Sequence, residues 1–434
     1  MRKFSVVILI LSGVSLMHIL SLACNQQAGN VIKEGEELAR THCASCHMFP
    51  EPFLLDKKSW QDGVLPKMAD FMHVDILYNP YDVSGPEGDV NVQRVMPEIL
   101  FPFEDWEKIA KYYYVAAPDL PLQRTIYLPP IQTGLKLFKP RMISGKFESP
   151  LSTLVFIDTI RHQIGWADGQ EGKLLVANPG FNFIDSVQVP KGAVTIDNRG
   201  SLKEVLTMGI LNPSDARLGK LVNTGEGGGK VVLDSLQRPV HVCYADLNND
   251  QNADLIISEF GFRYGGLSWF ESNGDGKYQK HILRALPGAV RSELYDFNHD
   301  EKPDIIALMA QGDEGVFIYY NEGNGKFREE RVLRFPPVYG SNYFQLFDYN
   351  YDGFPDILIT NGDNADYSVS LKPYHGIRVF LNDEENHFSE TFFLPVFGAQ
   401  KAIPADFDHD GDMDIISIAF FPDYERMPEE SFIY

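Results

Sequence analysis

The sequence predicts a multi-domain chain, a small all-α domain followed by a larger all-β domain built from repeated units. Three observations predict it. A C-x-x-C-H segment at residues 43–47 lies between two stretches of helical periodicity. Four Asp-rich segments, starting at Asp246, Asp296, Asp348 and Asp406, superpose without gaps and begin 50, 52 and 58 residues apart. A length of 434 residues, with 44% hydrophobic and 12% aromatic side chains, suits two to three domains with real cores and excludes a disordered chain. The net charge of −22 argues against a nucleic-acid partner, because phosphate would be repelled and no basic run offsets it. Four cysteines in this length exclude a disulfide scaffold.

The N-terminal element is a targeting segment over 1–23. Arg2 and Lys3 precede an almost wholly apolar run from Phe4 to Leu22, and Ser21-Leu22-Ala23-Cys24 is followed by polar Asn25-Gln26-Gln27. This resembles a bacterial lipoprotein signal. The resemblance implies that Cys24 carries lipid, that 24–31 is a linker, and that the protein is exported and lipid-anchored in the cell envelope, at the periplasmic face or the cell surface. No later run approaches the ~18 apolar residues that a membrane span needs.

The next element, 32–118, reads as a haem domain. In Cys43-Ala44-Ser45-Cys46-His47, two thiols on one turn suit addition to the two vinyl groups of haem, and the following imidazole suits the iron. Val31 to His42 is a helical approach with Gly35 and Leu38 on its face. Phe103 to Tyr114 is an amphipathic helix with Glu104 and Asp105 in its first turn, ended by Ala116 to Pro121. These features resemble class I-like c-type cytochromes. They imply covalent haem c on Cys43 and Cys46 with His47 as an axial ligand. Candidates for the sixth ligand are Met68, Met72, His73 and Met96. Met68 is favoured because Trp60-x3-Val64-x3-Met68 would place three large residues on one helical face, as in another cytochrome c branch. Met96-Pro97, just before the last helix, is the alternative. Cys243 is left over in an apolar strand pattern and reads as a buried free thiol. Residues 119–149, with Pro118, Pro121, Pro129, Pro130 and Pro140 in and beside them, form a connector.

The β region spans 150–434. Its four segments offer side-chain oxygens at positions 1, 3, 5 and 9: Asp246, Asn248, Asp250 and Asp254; Asp296, Asn298, Asp300 and Asp304; Asp348, Asn350, Asp352 and Asp356; Asp406, Asp408, Asp410 and Asp414. Alternate residues of a tight loop can converge on one hard cation, and Ca²⁺ is the expected ion. Position 7 is Asn252, Lys302, Phe354 or Asp412, a variety expected where only the backbone carbonyl is used. An EF-hand would need Glu at position 12, where Ile257, Ala307, Ile359 and Ser417 stand. Each loop instead enters a strand, as in Leu255-Ile256-Ile257. The alternative is an Asx-rich turn without metal. Downstream, Asn273–Tyr278, Asn321–Phe327 and Asn382–Phe388 read as hairpin turns.

The repeats resemble FG-GAP or VCBS repeats of integrin-type β-propellers. The resemblance implies four-stranded blades around a central channel with Ca²⁺ bracing the loops, commonly seven blades. Stretches around Leu154–Val176 and Leu206–Val222 read as degenerate blades without the loop. At 50–58 residues per blade the region holds five to six, so a last blade and a half is expected to be missing. A polar stretch after the third loop, with Asp363, Asp366, Lys372 and His375, is a candidate ligand pocket. Arg238, His241, Arg291 and Lys401, ahead of the loops, could add to it by projecting into the channel. Together these readings predict haem-based electron transfer beside a propeller that binds a redox partner or a small ligand. The alternatives are a propeller oxidoreductase that passes electrons to the haem, and a surface adhesion or sensing protein.

Overall fold

The computed structural model describes residues 29–74, 101–124, 131–134, 137–141, 151–197, 204–224, 229–364, 368 and 370–433. The chain divides into two compact units. One is Met1–Thr125 with Asn364–Pro373, and the other is Ile126–Asp363 with Tyr374–Tyr434.

Among the described residues the helical unit has three main elements. Helix α1 spans 29–42 and ends in a 3-10 turn, Cys43–Ser45. Helix α2 is an α turn, Lys57–Ser59, a π segment, Trp60–Val64, and an α segment, Leu65–Phe71. Asp56 caps it, accepting from the Ser59 backbone N–H and hydroxyl. Helix α3 spans Phe103–Ala116 and opens with Glu104 and Asp105, as its dipole prefers. Helices α1 and α3 touch at Gly35, where a β-carbon would strike the Lys108 carbonyl. The core includes Ala39, Trp60, Ile109 and Tyr113.

The expectation of one face for Trp60, Val64 and Met68 does not hold. Trp60 is buried, whereas Val64 and Met68 are only half-buried, and the inward stripe is Trp60, Leu65 and Ala69. The cause is the π turn. It closes with Leu65 N–H on the Trp60 carbonyl, takes in one extra residue and moves the buried face on by one.

The larger unit is a six-bladed β-propeller, where the resemblance implied seven. Blades cover 152–188, 193–236, 239–284, 289–334, 341–395 and 399–433. Five are four-stranded antiparallel meanders in the order first to fourth strand, and the sixth has three strands, Phe432–Ile433 being the third. The first two blades fall on the two degenerate stretches. The second strands, such as Asp254–Glu259, Asp304–Met309 and Asp356–Asn361, are buried along their whole length. They lie between blades, so both faces are apolar and the sequence shows a run rather than an alternation. First strands of successive blades contact each other, which places them innermost. Among the described residues no helix is long and apolar enough to cross a membrane.

Candidate functional site

The four Asp-rich segments join the first and second strands of blades three to six. In each, the position-1 carboxylate accepts backbone N–H groups of positions 5 and 6: Asp246 from Asp250 and Gln251, Asp406 from Asp410 and Gly411. Position 9 has a second task. Asp254 accepts from Leu247 N–H at 3.2 Å and from Ser272 N–H at 2.8 Å. Asp304 bonds Phe297 and Asn321 in the same way, and Asp356 bonds Tyr349 and Asn382. These three carboxylates are fully buried, tie the loop to the third strand, and have pKa values raised by burial. In the sixth blade, oxygens of Asp406, Asp408 and Asp414 lie within 4.8 Å of one another. That convergence of hard oxygens from positions 1, 3 and 9 fits a divalent cation. Asp410 bonds Asp412 and holds its pKa up, as crowded like charges do. In the second loop Lys302 turns its ammonium onto Asp300 at 2.8 Å.

In the helical unit, Cys43 is half-buried and Cys46 exposed, and both are free thiols. Burial pushes Cys43 up to about 11. His47 Nδ1 lies 2.9 Å from the Met48 carbonyl. A carbonyl only accepts, so Nδ1 carries the proton and Nε2 the lone pair, the tautomer that a metal ligand requires. The chain after His47 is pinned: Tyr113 donates to the Pro50 carbonyl at 2.9 Å and Trp60 Nε1 to the Pro52 carbonyl at 2.8 Å. A cavity of about 250 Å³ beside Trp60, Leu65, Trp106 and Tyr114 is not lined by Cys43, Cys46, His47 or Met68. Cys24, Met96 and Asp366 lie outside the described residues.

Of the candidate pocket residues, Lys372 and His375 are buried, and Lys372 donates to Asn364 and to the Ser368 carbonyl. Asp363 donates its N–H to the Gly340 carbonyl. Lys372 belongs to the helical unit, and Asp363 and His375 to the propeller.

A different cluster forms on the innermost strands. His241, Arg291, Tyr343 and Lys401 hold the same place in the first strands of blades three to six. In all six blades the register between first and second strands slips at this place, for instance between Ala289 and Arg291 and between Ala399 and Lys401. A bulge re-aims the side chain that follows it. Arg291 pairs with Glu293 at 2.9 Å and reaches His241 Nε2 at 3.3 Å. Arg291 and Lys401 lie 4.9 and 5.0 Å from the centre of the Tyr343 ring. Burial, with the charges of Arg291 and Lys401, presses His241 down to about 3, so its imidazole is neutral. Burial and Arg291 also lower the pKa of Lys401. Arg238 stands apart, donating to the Gly261 and Leu211 carbonyls. Sequence reading missed Tyr343 and Glu293. The usable signal was the offset, since each cluster residue stands five before the first Asp of its loop.

Comparison with protein families matches the FG-GAP-like repeat at residues 246–307 and 296–359. The chain carries FG-GAP-like repeats. Among curated proteins none matches significantly. Among solved structures, a luciferin-regenerating enzyme is similar at 11% identity and TM-score 0.40, over 62% of this chain and 83% of that one. A candidate 6-phosphogluconolactonase from Bacteroides fragilis shows 13% identity and TM-score 0.40, over 62% and 76%. One from Bacteroides uniformis shows 10% and 0.41, over 61% and 77%. The matched repeats fall within blades three to five, and the six-bladed architecture is read from the strands themselves.

Proposed function

We propose that this protein is a haem c electron carrier whose FG-GAP propeller, braced by Ca²⁺, binds a ligand or partner. The observation that carries the haem reading is the end of α1. Two free thiols three residues apart precede an imidazole whose Nδ1 is held by a backbone carbonyl. Cys43 and Cys46 would hold the porphyrin through thioethers, and His47 Nε2 would meet the iron. Haem, when bound, supplies a reversible one-electron couple. The chain's own part is to fix the imidazole and to anchor the following loop on α3 through Tyr113 and Trp60. Met68 remains the proposed sixth ligand. In the propeller, Asp406, Asp408 and Asp414 would hold Ca²⁺, with the corresponding residues of the other loops acting likewise.

We also propose export and lipid anchoring through Cys24. Cys24→Ser should release the protein from the membrane fraction, and unchanged fractionation would sink that reading. The decisive experiment on function is a pyridine-haemochrome spectrum and reduction potential of protein coexpressed with haem-attachment machinery. A c-type spectrum with a reversible couple is expected, and absence of covalent haem would overturn the carrier. A second reading, substrate oxidation in the propeller, is favoured by the His241–Arg291–Lys401 cluster. It requires haem reduction on adding a substrate.

A further inference from the structure

Lys401 is a half-buried cation in the channel layer, and among the described residues no carboxylate pairs with it. A cation taken partly out of water without a counter-charge is costly, and its neighbour there, Arg291, adds repulsion. The face of Tyr343 offsets some of that cost through cation–π contact with both side chains.

We propose that the layer of Arg291, Tyr343 and Lys401 binds one small carboxylate ion in the propeller channel. Charge sets the class. Glu293 neutralises Arg291 through its guanidinium, His241 is neutral, and Lys401 is left with a single surplus positive charge. One negative charge balances it, and a dianion overshoots. Position sets the place. The slipped register recurs in every blade, so this layer is a constructed feature of the ring rather than a local accident. Access is open, since the Arg291 side chain keeps 26% of its surface exposed. With a net charge of −22 the protein has no general affinity for anions, so binding at this point would be specific to it. This inference deepens the ligand-binding part of the proposed function and does not depend on haem.

The test is calorimetric titration of the full chain with sodium acetate and, separately, inorganic phosphate in chloride-free buffer. Acetate should bind one per chain. Lys401→Met should weaken it at least about tenfold and raise the melting midpoint of the ligand-free protein, because the unpaired charge is gone. Lys401→Arg should keep binding. Undiminished acetate binding to Lys401→Met, or no acetate binding to the wild type, would overturn the site. Tighter binding of phosphate would overturn the carboxylate class. The haem spectrum of the same preparation reads the carrier proposal separately, and Lys401→Met should leave it unchanged.

Discussion

Gly35 leaves no room for an added atom. Its hydrogen lets α1 approach the α3 backbone at Lys108, and a methyl group there must force the helices apart. Gly35→Ala should therefore destabilise the unit by about 1–3 kcal/mol, although alanine is the better helix former. A urea melt followed by helical circular dichroism checks the sign. Glu314 poses a different problem, a fully buried carboxyl bonded by the Ser341 N–H and hydroxyl. Burial raises its pKa from 4.5 to about 8. The folded protein thus binds more protons than the unfolded chain between those values, and stability falls as pH rises from about 4.5 to about 8. The slope is at most about 1.4 kcal/mol per pH unit. Glu314→Gln keeps an acceptor for Ser341 and removes the charge, so it should flatten that slope and stabilise the protein in alkali. Unaltered pH dependence of the urea midpoint in the variant would show that Glu314 is not the source.

The elements that carry function differ in how much of them the sequence displays. The Asp-rich loops are legible because each is local: its oxygens, its turn and its following strand all lie within twelve residues. The C-x-x-C-H turn is legible for the same reason. Position 9 shows the limit, since the bonds from Asp254, Asp304 and Asp356 to the third strand need tertiary pairing that spacing does not reveal. The π segment is equally hidden, because one extra residue per turn leaves the composition of Trp60–Val64 ordinary. The channel layer is legible in part: His241, Arg291 and Lys401 stand out by their basic side chains and place ahead of the loops, whereas Tyr343 and Glu293 do not, and the layer joins residues of different blades 50 or more apart in sequence, which composition does not reveal. Between neighbouring blades, Asn321 donates to the Leu247 carbonyl and Asn386 to the Phe297 carbonyl, so each of these two loops is stitched to the next blade. The second loop alone carries an internal cation, Lys302 on Asp300. That ammonium would compete with a cation for the same carboxylate. Lys302→Asn should therefore raise the Ca²⁺ affinity of this loop, adding one tight site in a calorimetric titration. An unchanged number of tight sites would mean that Lys302 does not compete there.

At the scale of the molecule, two compact units with separate cores should fail separately. Cys43→Ser with Cys46→Ser should abolish covalent haem and leave the melting of the propeller where it was. Loss of the whole fold would contradict the division. The propeller has its own vulnerability in its charge. With Asp and Glu outnumbering Lys and Arg by 22, the chain repels itself, and the loops concentrate that repulsion at one end of each of four blades. Backbone N–H groups already bond the position-1 carboxylates, which gives each loop its shape but leaves its charge in place. A divalent cation removes it. An ion that binds only the folded state adds about 2.7 kcal/mol per site at a hundredfold excess over Kd. Because loops are tied to neighbouring blades through Asn321 and Asn386, that energy acts on blade contacts as well as on single turns. EDTA should thus lower the melting midpoint of the propeller by far more than any single loop substitution. Asp352→Ala with Asp410→Ala should reproduce part of that fall, and the haem spectrum should respond to neither. If calorimetry detected no bound Ca²⁺ and chelation left the midpoint in place, the loops would be Asx turns that hold themselves together by backbone bonding alone.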